Sequence, residues 1–153
     1  MQEPITAGSN MSSQLSIYDP DQVSVIVNGL ALDGWADGEF VKIEQNSDQF
    51  TYTSGTDGKG VRSKMLDASA KITLSFLQTS TANDFLSVLL NGDLLAHNGA
   101  GVGAFMVRDR GGRALFSGQV WVSKAPSVSF DREATVRVWE LTSPRLIRFD
   151  GGS

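Results

Sequence analysis

Four carboxylates crowd residues 32–44, which read LDGWADGEFVKIE. They are Asp33, Asp37, Glu39 and Glu44, and carboxylate oxygens are the ligands that Ca²⁺ prefers in proteins. A calcium-binding loop places its oxygens at alternating positions and closes with a bidentate Glu, and these residues show no such spacing. Asp-Gly pairs are common in turns, because Asp bonds to nearby backbone and Gly adopts positive φ. The stretch therefore favours a turn between two strands over a cation site.

Two glycine-rich stretches invite a nucleotide-binding interpretation, and neither fits it. In residues 55–60, GTDGKG, Gly60 follows Lys59 where a phosphate-binding loop requires Ser or Thr. Residues 99–104, GAGVGA, follow a helical pattern and precede a strand, whereas a dinucleotide fingerprint follows a strand and opens a helix. The single histidine, His97, lies in a loop beside a helix end, and no set of zinc ligands can be assembled. The sequence predicts no catalytic site, no metal and no cofactor.

The composition is that of one domain of 153 residues, long enough to bury a core. There is no cysteine, which excludes disulfides and thiolate metal sites. The net charge is -4, from 13 basic and 17 acidic residues, and argues against a protein that grips nucleic acid by its phosphates. No apolar run approaches the roughly 20 residues of a membrane span. The polar residues 1–14 lack the apolar core of a signal peptide, so we expect assembly in a cytoplasm without a membrane partner.

Alternating apolar residues predict a chain built mainly of strands. Residues 23–27 read VSVIV, with the period of two that is typical of a strand, and similar patterns recur to the end of the chain. The period changes once to helical spacing, over residues 80–91, which Ser80 or Thr81 can cap and Gly92 can end. Because strands and helices do not alternate, the sequence predicts an antiparallel β-sandwich or barrel of about eight strands with one helix packed on it.

The connections between strands are predicted from glycines and polar runs. Asn28-Gly29 is interpreted as a bulge, because the apolar alternation continues beyond it. Residues 54–67 predict a polar loop, and residues 109–112 predict a hairpin turn. A flexible arm at about residues 1–16 and a short C-terminal tail are expected to flank the single domain.

Large apolar residues suggest a surface beyond the core. Trp121 and Trp139 lie on two late strands, each opposite to valines, so both faces of these strands carry apolar groups. One face of an antiparallel sheet usually meets water, so either the helix or another subunit must cover the second face. Both tryptophans are therefore candidates for a subunit interface. With Trp35 and Tyr52 they could instead form a platform on which a sugar stacks.

The order of these elements resembles the tail tube proteins of contractile-tailed bacteriophages. The resemblance spans residues 18–141 and is carried by DPDQVSVIVNGLALDGWADGEFVKIEQNSDQFTYTSGTDGKGVRSK, by AKITLSFLQTSTANDFLSVL and by late strands ending in RVWEL. Its signal is the order of the elements: a strand, a G-x-x-x-G turn, an F-V-x-I strand, an S-D-x-F-T-Y strand, a polar glycine loop, a further strand and a Q-T-S-x-x-N-D-x-L-S helix. The resemblance implies a structural virion protein without enzymatic activity. Its hexameric rings would stack into the inner tail tube, which conducts DNA during ejection.

The resemblance also implies partners and a role for the polar glycine loop. The loop would reach from one ring to the next, and strands of six subunits would line a common lumen. The partners would be further copies of the chain, the sheath, baseplate and tail-terminator proteins, and DNA that passes without specific binding. The residues implied to lie between rings are Gly55, Asp57, Gly58, Lys59, Gly60, Arg62 and Lys64.

A net negative lumen would repel the phosphates of passing DNA. The candidates for its wall are Glu39, Glu44 and Asp48, with Lys42 offsetting Glu44 in part. Two alternatives remain open at this point. The chain could form the tube of a phage-tail-like particle or secretion device, or it could be a monomeric β-sandwich that binds carbohydrate through exposed tryptophans.

Overall fold

The computed structural model describes residues 20–109 and 113–151. The predicted arm at 1–16, the middle of the predicted turn at 109–112 and the last two residues of the tail lie outside this part of the chain. A short 3-10 turn, Pro20–Gln22, leads into the first strand, and the α-helix α1 spans Ala82–Leu95. The strands are β1 Val23–Val27, β2 Leu30–Ala31, β3 Val41–Gln45, β4 Phe50–Ser54, β5 Gly60–Lys64, β6 Ala70–Leu77, β7 Gly103–Asp109, β8 Leu115–Lys124, β9 Val136–Ser143 and β10 Leu146–Phe149.

Eight of these strands form one antiparallel sheet, in the order β2-β1-β7-β8-β9-β6-β3, with β10 also paired to β8. Strand β8 belongs to both halves of the sheet. Its residues 115–120 pair with β7, and its residues 121–124 pair with β9. We call β2, β1, β7, the start of β8 and β10 the first half, and the end of β8, β9, β6 and β3 the second half. The predicted fold class, mainly β with one packed helix, is confirmed.

A single core joins the two halves. Alternate residues of the central strands turn inward, as the period of two requires, and the helix adds Ala82 and Leu86. The fully enclosed side chains come from both halves, which shows that the sheet folds over and packs against itself. The largest of them are Phe76, Phe105, Ile72, Leu74, Leu86 and Leu141.

The helix begins where predicted and ends later. Thr81 is the N-cap, and its side chain makes no capping bond. The hydroxyl of the preceding Ser80 accepts a hydrogen bond from the Ala82 amide at 3.1 Å and donates one to the Asp33 carbonyl at 2.6 Å, so Ser80 ties the start of the helix to the segment before β3. The prediction that Gly92 ends the helix is wrong. The helix continues through Gly92 to Leu95, because an isolated glycine costs only about 1 kcal/mol in a helix whose apolar side is packed.

The interpretation of Asn28-Gly29 as a bulge is also wrong. Both residues have positive φ, 53° for Asn28 and 85° for Gly29, and they join β1 to β2 as a two-residue hairpin turn. Asn-Gly is the sequence that this type of turn prefers, since it requires positive φ at both central positions. The apolar alternation that suggested a bulge continues because β2 is only two residues long and Leu32 then enters the core.

We predict that Gly34 is the most constrained glycine of the segment before β3. Its φ is 77°, and a Cβ placed on it would lie 2.6 Å from Ser80 Cβ. Gly34→Ala should therefore cost about 3 kcal/mol of unfolding free energy, from the left-handed backbone and the clash together. Gly38→Ala is the matched control: its φ is 83°, but nothing lies within 4 Å of the added methyl group, and only about 1 kcal/mol should be lost. Urea unfolding measures both, and equal losses would contradict the packing of Gly34 on Ser80.

Candidate functional site

The carboxylate-rich stretch that opened the sequence connects β2 to β3, as the turn interpretation predicts. Trp35 forms an isolated bridge to Phe76, and the two rings stack with centroids 4.4 Å apart. Asp33, Asp37 and Glu39 are exposed around this apolar anchor. Across residues 20–109 and 113–151, no three acidic, histidine or cysteine side chains converge on a point that could hold a metal ion. The stretch thus positions the edge of the second half and presents negative charge at one end of β3.

The segment predicted as a polar loop, 54–67, is instead largely a β-hairpin. Strands β4 and β5 pair over their full length, from Phe50 opposite Lys64 to Ser54 opposite Gly60. The turn between them is closed by a 2.6 Å bond from the Gly55 amide to the Lys59 carbonyl. The prediction of a loop is wrong because pairing with β4, and not the local propensity of Gly60, Ser63 and Lys64, makes β5 a strand.

Every residue of this hairpin is exposed, and it forms a two-stranded sheet separate from the main one. On one face, Phe50 and Tyr52 lie beside Lys64 and Arg62, and the Arg62 guanidinium lies 4.3 Å from the centre of the Phe50 ring. Tyr52 is 68% exposed although its ring covers Gly60. An isolated hairpin is marginally stable in water. The hairpin therefore presents an aromatic and basic surface that lacks a packing partner within the described chain.

The base of the hairpin is held by Asp67. Its Oδ1 accepts hydrogen bonds from the Ser69 hydroxyl at 2.7 Å and the Ser69 amide at 3.0 Å, and its Oδ2 accepts one from the Ser47 hydroxyl at 2.9 Å. These bonds favour the ionised form and lower the pKa of Asp67 below its ordinary 3.8, with the Ser69 hydroxyl the largest cause. The carboxylate thus joins the residues that precede the hairpin to those that follow it.

The outer face of the first half carries large apolar side chains together with the polar residues Ser24, Arg108 and Ser117. One row of cross-strand neighbours runs over this face: Ile26 on β1, Met106 on β7, Ser117 on β8 and Ile147 on β10. The next row pairs Leu115 with Phe149. Ile147 is 74% exposed and Phe149 57%. We call the set Ile26, Met106, Leu115, Ile147 and Phe149 the apolar outer face.

The outer face of the second half carries ion pairs beside the exposed valines Val136 and Val138 of β9. Lys42 lies 3.4 Å from Glu44 on β3, and Glu140 lies 3.3 Å from Lys71 and 4.0 Å from Lys124. The charges of these three lysines and two glutamates sum to +1. The face that carries Glu44 therefore holds paired charges of both signs, and a negative lumen wall stays a prediction.

The three residues predicted to line a lumen do not lie together. Glu44 is on β3, whereas Glu39 precedes the strand and Asp48 follows it, at the opposite end. Ile43 packs against the core and Glu44 is exposed, as the alternation along this strand predicted.

The two tryptophans predicted for a subunit interface lie on opposite faces of the sheet. Trp139 is 3% exposed and faces the core, where its indole N–H donates to Asn83 Oδ1 of the helix at 3.0 Å. Trp121 alternates with the buried Val120 and Val122 and lies on the outer side. The prediction of an interface role for Trp139 is corrected, because its own helix covers it. A sugar platform of several tryptophans is not formed either, since Trp35 stacks on Phe76 and Trp139 is enclosed.

Comparison with known proteins gives a consistent result. Residues 15–147 match the family model described as bacteriophage PhiTE tail tube protein. A structural protein of Pseudomonas phage KPP10 is 29% identical over 150 residues, covering 94% of this chain and 87% of that protein. The cap that terminates the tube of the anti-feeding prophage, solved by cryo-EM, superposes with a TM-score of 0.57 over 88% of this chain and 94% of the cap. At 12% identity, that last match concerns the fold alone. Within the described residues, no helix has the length and apolar character needed to cross a membrane.

We predict that Asp67 keeps the base of the hairpin closed only while it is ionised. Because its folded pKa lies below 3.8, this stabilisation is present above the ordinary pKa and is lost as the pH falls through the folded pKa. Asp67→Asn should open the base at neutral pH, and NMR signals of the Met65 and Ser69 amides should report it. Asp48→Asn removes an exposed carboxylate from the same region and should leave both amides unchanged. Identical spectra for the wild type and Asp67→Asn would contradict the role of Asp67.

Proposed function

This chain belongs to the bacteriophage PhiTE tail tube protein family, and we propose that its copies form hexameric rings that stack into the inner tube of a contractile virion tail. It is a phage tail tube structural protein by family. The observation that carries the assembled form is that one subunit leaves two surfaces without a partner, the apolar outer face and the hairpin β4–β5. Monomeric proteins rarely expose a contiguous apolar face of this kind.

Ring closure would cover the apolar outer face. Strands β3 and β10 each pair on one side only, so the sheet has free edges that invite pairing with another chain. A heterologous contact whose rotation closes makes a ring and removes such edges. Ile147 and Phe149 on β10 would then lie against the neighbouring subunit, with Trp121 of β8 at the boundary between the two halves of the sheet.

Stacking of rings would use the hairpin. Its turn and second strand hold the residues assigned to the inter-ring contact, and all of them are exposed. The aromatic face of the hairpin supplies apolar area, and Arg62 and Lys64 supply charge. The assigned residues are Gly55, Asp57, Gly58, Lys59, Gly60, Arg62 and Lys64.

The lumen would be lined by the outer face of the second half, including Glu44, with Glu39 and Asp48 at its two ends. DNA passes through such a duct only if the wall does not hold phosphate, because each neutralised phosphate adds affinity. Glu44 and Glu140 would keep the lysines of this face occupied. Paired charges would thus form the middle of the wall that the sequence predicts to be negative.

The remaining roles follow from a place in the tail. The sheath, the baseplate and a tail terminator would contact the tube, and assembly would take place in the cytoplasm of the bacterial host. The similarity in fold to the cap of the anti-feeding prophage tube favours one alternative, the tube of a tail-like particle. In that case the same rings would enclose a cargo other than DNA.

We predict that the hairpin tip is needed for stacking and not for folding. Removing residues 55–60 deletes the turn and the first residue of β5, and leaves the core intact. Electron microscopy should show long tubes for the wild type at high protein concentration and separate rings for the deletion. Circular dichroism of the two proteins provides the control for folding. Long tubes of the deleted protein would contradict an inter-ring role for the hairpin.

We also predict that Glu44 and Glu140 prevent DNA retention. Changing both to Gln leaves the three lysines of that face without partners, so tubes of this variant should retain DNA at low salt and release it as salt rises. Sedimentation of tubes with labelled DNA fragments measures the retained fraction. Asp37→Asn is the control, since Asp37 is exposed outside this face. DNA retention equal to that of the wild type would contradict the proposed lumen wall.

A further inference from the structure

A buried arginine lies on the core face of β9. Arg137 is 8% exposed and stands opposite Phe76 in the ladder with β6. One of its terminal nitrogens, Nη1, donates a hydrogen bond to the Thr135 hydroxyl. No Asp or Glu of residues 20–109 and 113–151 lies within ion-pair distance of its guanidinium. Within the described part of the chain, this buried cation therefore has no counter-charge.

An uncompensated buried charge is strongly unfavourable, and proteins normally pair such a group or leave it a route to solvent. Here no buried side-chain nitrogen or oxygen of the described residues lacks a hydrogen-bond partner. The guanidinium nitrogens that do not bind Thr135 therefore reach solvent, and they do so through a cleft that Arg137 lines. These N–H groups are free to donate hydrogen bonds to a ligand. The planar guanidinium matches the geometry of a carboxylate best.

The cleft has the size and lining of a side-chain receptor. It encloses about 260 Å³ between the start of the helix and the loop from β8 to β9. Gln78, Asn83 and Ser87 supply polar groups to its wall, and Trp139 supplies an apolar one. The loop lines the cleft with Val128, which is 57% exposed. Polar donors around a buried arginine, next to an exposed apolar side chain, resemble the centre of a protein interface and not a site for a free ion.

We propose that this cleft binds a carboxylate from a second copy of the chain, and that the carboxylate is Asp57 at the tip of the hairpin β4–β5. This inference rests on the proposed stacking of rings and names the contact that would hold one ring on the next. The pairing would give Arg137 the counter-charge that the described residues of its own subunit do not supply.

The topology favours the hairpin as the donor. Arg137 lies beside the end of β6 near Leu77, whereas the hairpin joins the sheet near Ala70, at the other end of the same strand. The cleft and the base of the hairpin thus lie near opposite ends of β6, as a head-to-tail contact requires. Five residues of strand carry the hairpin tip about 17 Å beyond its base.

Among the carboxylates at that end of the subunit, Asp57 is the one placed to enter a cleft. It lies in the exposed turn, where its Oδ1 accepts a bond from the Lys59 amide, and its other oxygen points to no partner within the described residues. Asp67 is held by two serines at the base, and Asp48 lies beside that base.

Engineered cysteines test the contact directly, because the chain contains none of its own. We would combine Asp57→Cys and Ser87→Cys in one chain, assemble tubes at a protein concentration high enough to offset the loss of the Asp57 carboxylate, and oxidise them. The expected result is a ladder of disulfide-linked chains on a non-reducing gel, since the tip of each hairpin would meet the cleft of the next subunit. The control pairs Asp57→Cys with Ser117→Cys on the outer face and should give no ladder. Tubes that show no ladder with Ser87→Cys, or as strong a ladder with Ser117→Cys, would overturn the proposal.

Substitution of the two charged partners provides a second test. Asp57→Asn and Arg137→Met should each raise the protein concentration needed for stacking more than about tenfold, whereas Asp48→Asn should not. Arg137→Met should leave the melting temperature of the isolated subunit unchanged or higher, because it removes an unpaired charge and the Thr135 hydroxyl still binds Gln78. A lower melting temperature with normal stacking would assign Arg137 a structural role inside the subunit and overturn the proposal.

The two proposals fail in different ways. Tubes that form normally with Asp57→Asn would overturn the Asp57 contact and leave the tube intact. A wild-type protein that forms neither rings nor tubes would overturn both.

Discussion

The structure depends on an excess of apolar surface that one core cannot bury. The first half of the sheet turns Val25, Phe105 and Val120 inward and at the same time carries Met106, Ile147 and other large apolar groups on its outer side. A single folded sheet covers only its inner faces, because the helix lies over the core side. Water contact with the outer side is costly at about 25 cal/mol per Å². Association with further copies of the chain removes this cost, so the fold of the subunit and its assembly follow from one property.

Charge is arranged so that the exposed elements differ from one end of the subunit to the other. The segment before β3 carries Asp33, Asp37 and Glu39, and the hairpin beyond the end of β3 carries Lys59, Arg62 and Lys64 with Asp57 at its tip. Between them, the outer face of the second half pairs its lysines with Glu44 and Glu140. A subunit whose two ends differ in charge is suited to head-to-tail assembly. The ion pairs between the ends are suited to a wall that does not hold phosphate.

The sequence predicts the elements of this fold better than it predicts which face of each strand is buried. Alternation locates β6 and β9, and the single helical segment is found at its N-terminal side, because these patterns are long and regular. Along β9, alternation assigns Val136 and Val138 to one face and Arg137 and Trp139 to the other. The valines are nevertheless exposed and the arginine is buried. The hydrophobicity of valine and the charge of arginine would favour burial of the valine face. Only the contacts of Trp139 with the helix decide it, and such tertiary contacts have no local signal.

The most direct test of the account is an image reconstruction of the purified protein assembled at high concentration. The account predicts closed six-fold rings in stacked tubes, with the apolar outer face buried between neighbours in a ring and each hairpin seated on the next ring. A monodisperse monomer at every concentration would contradict it, as would a ring in which Ile147 and Phe149 face solvent.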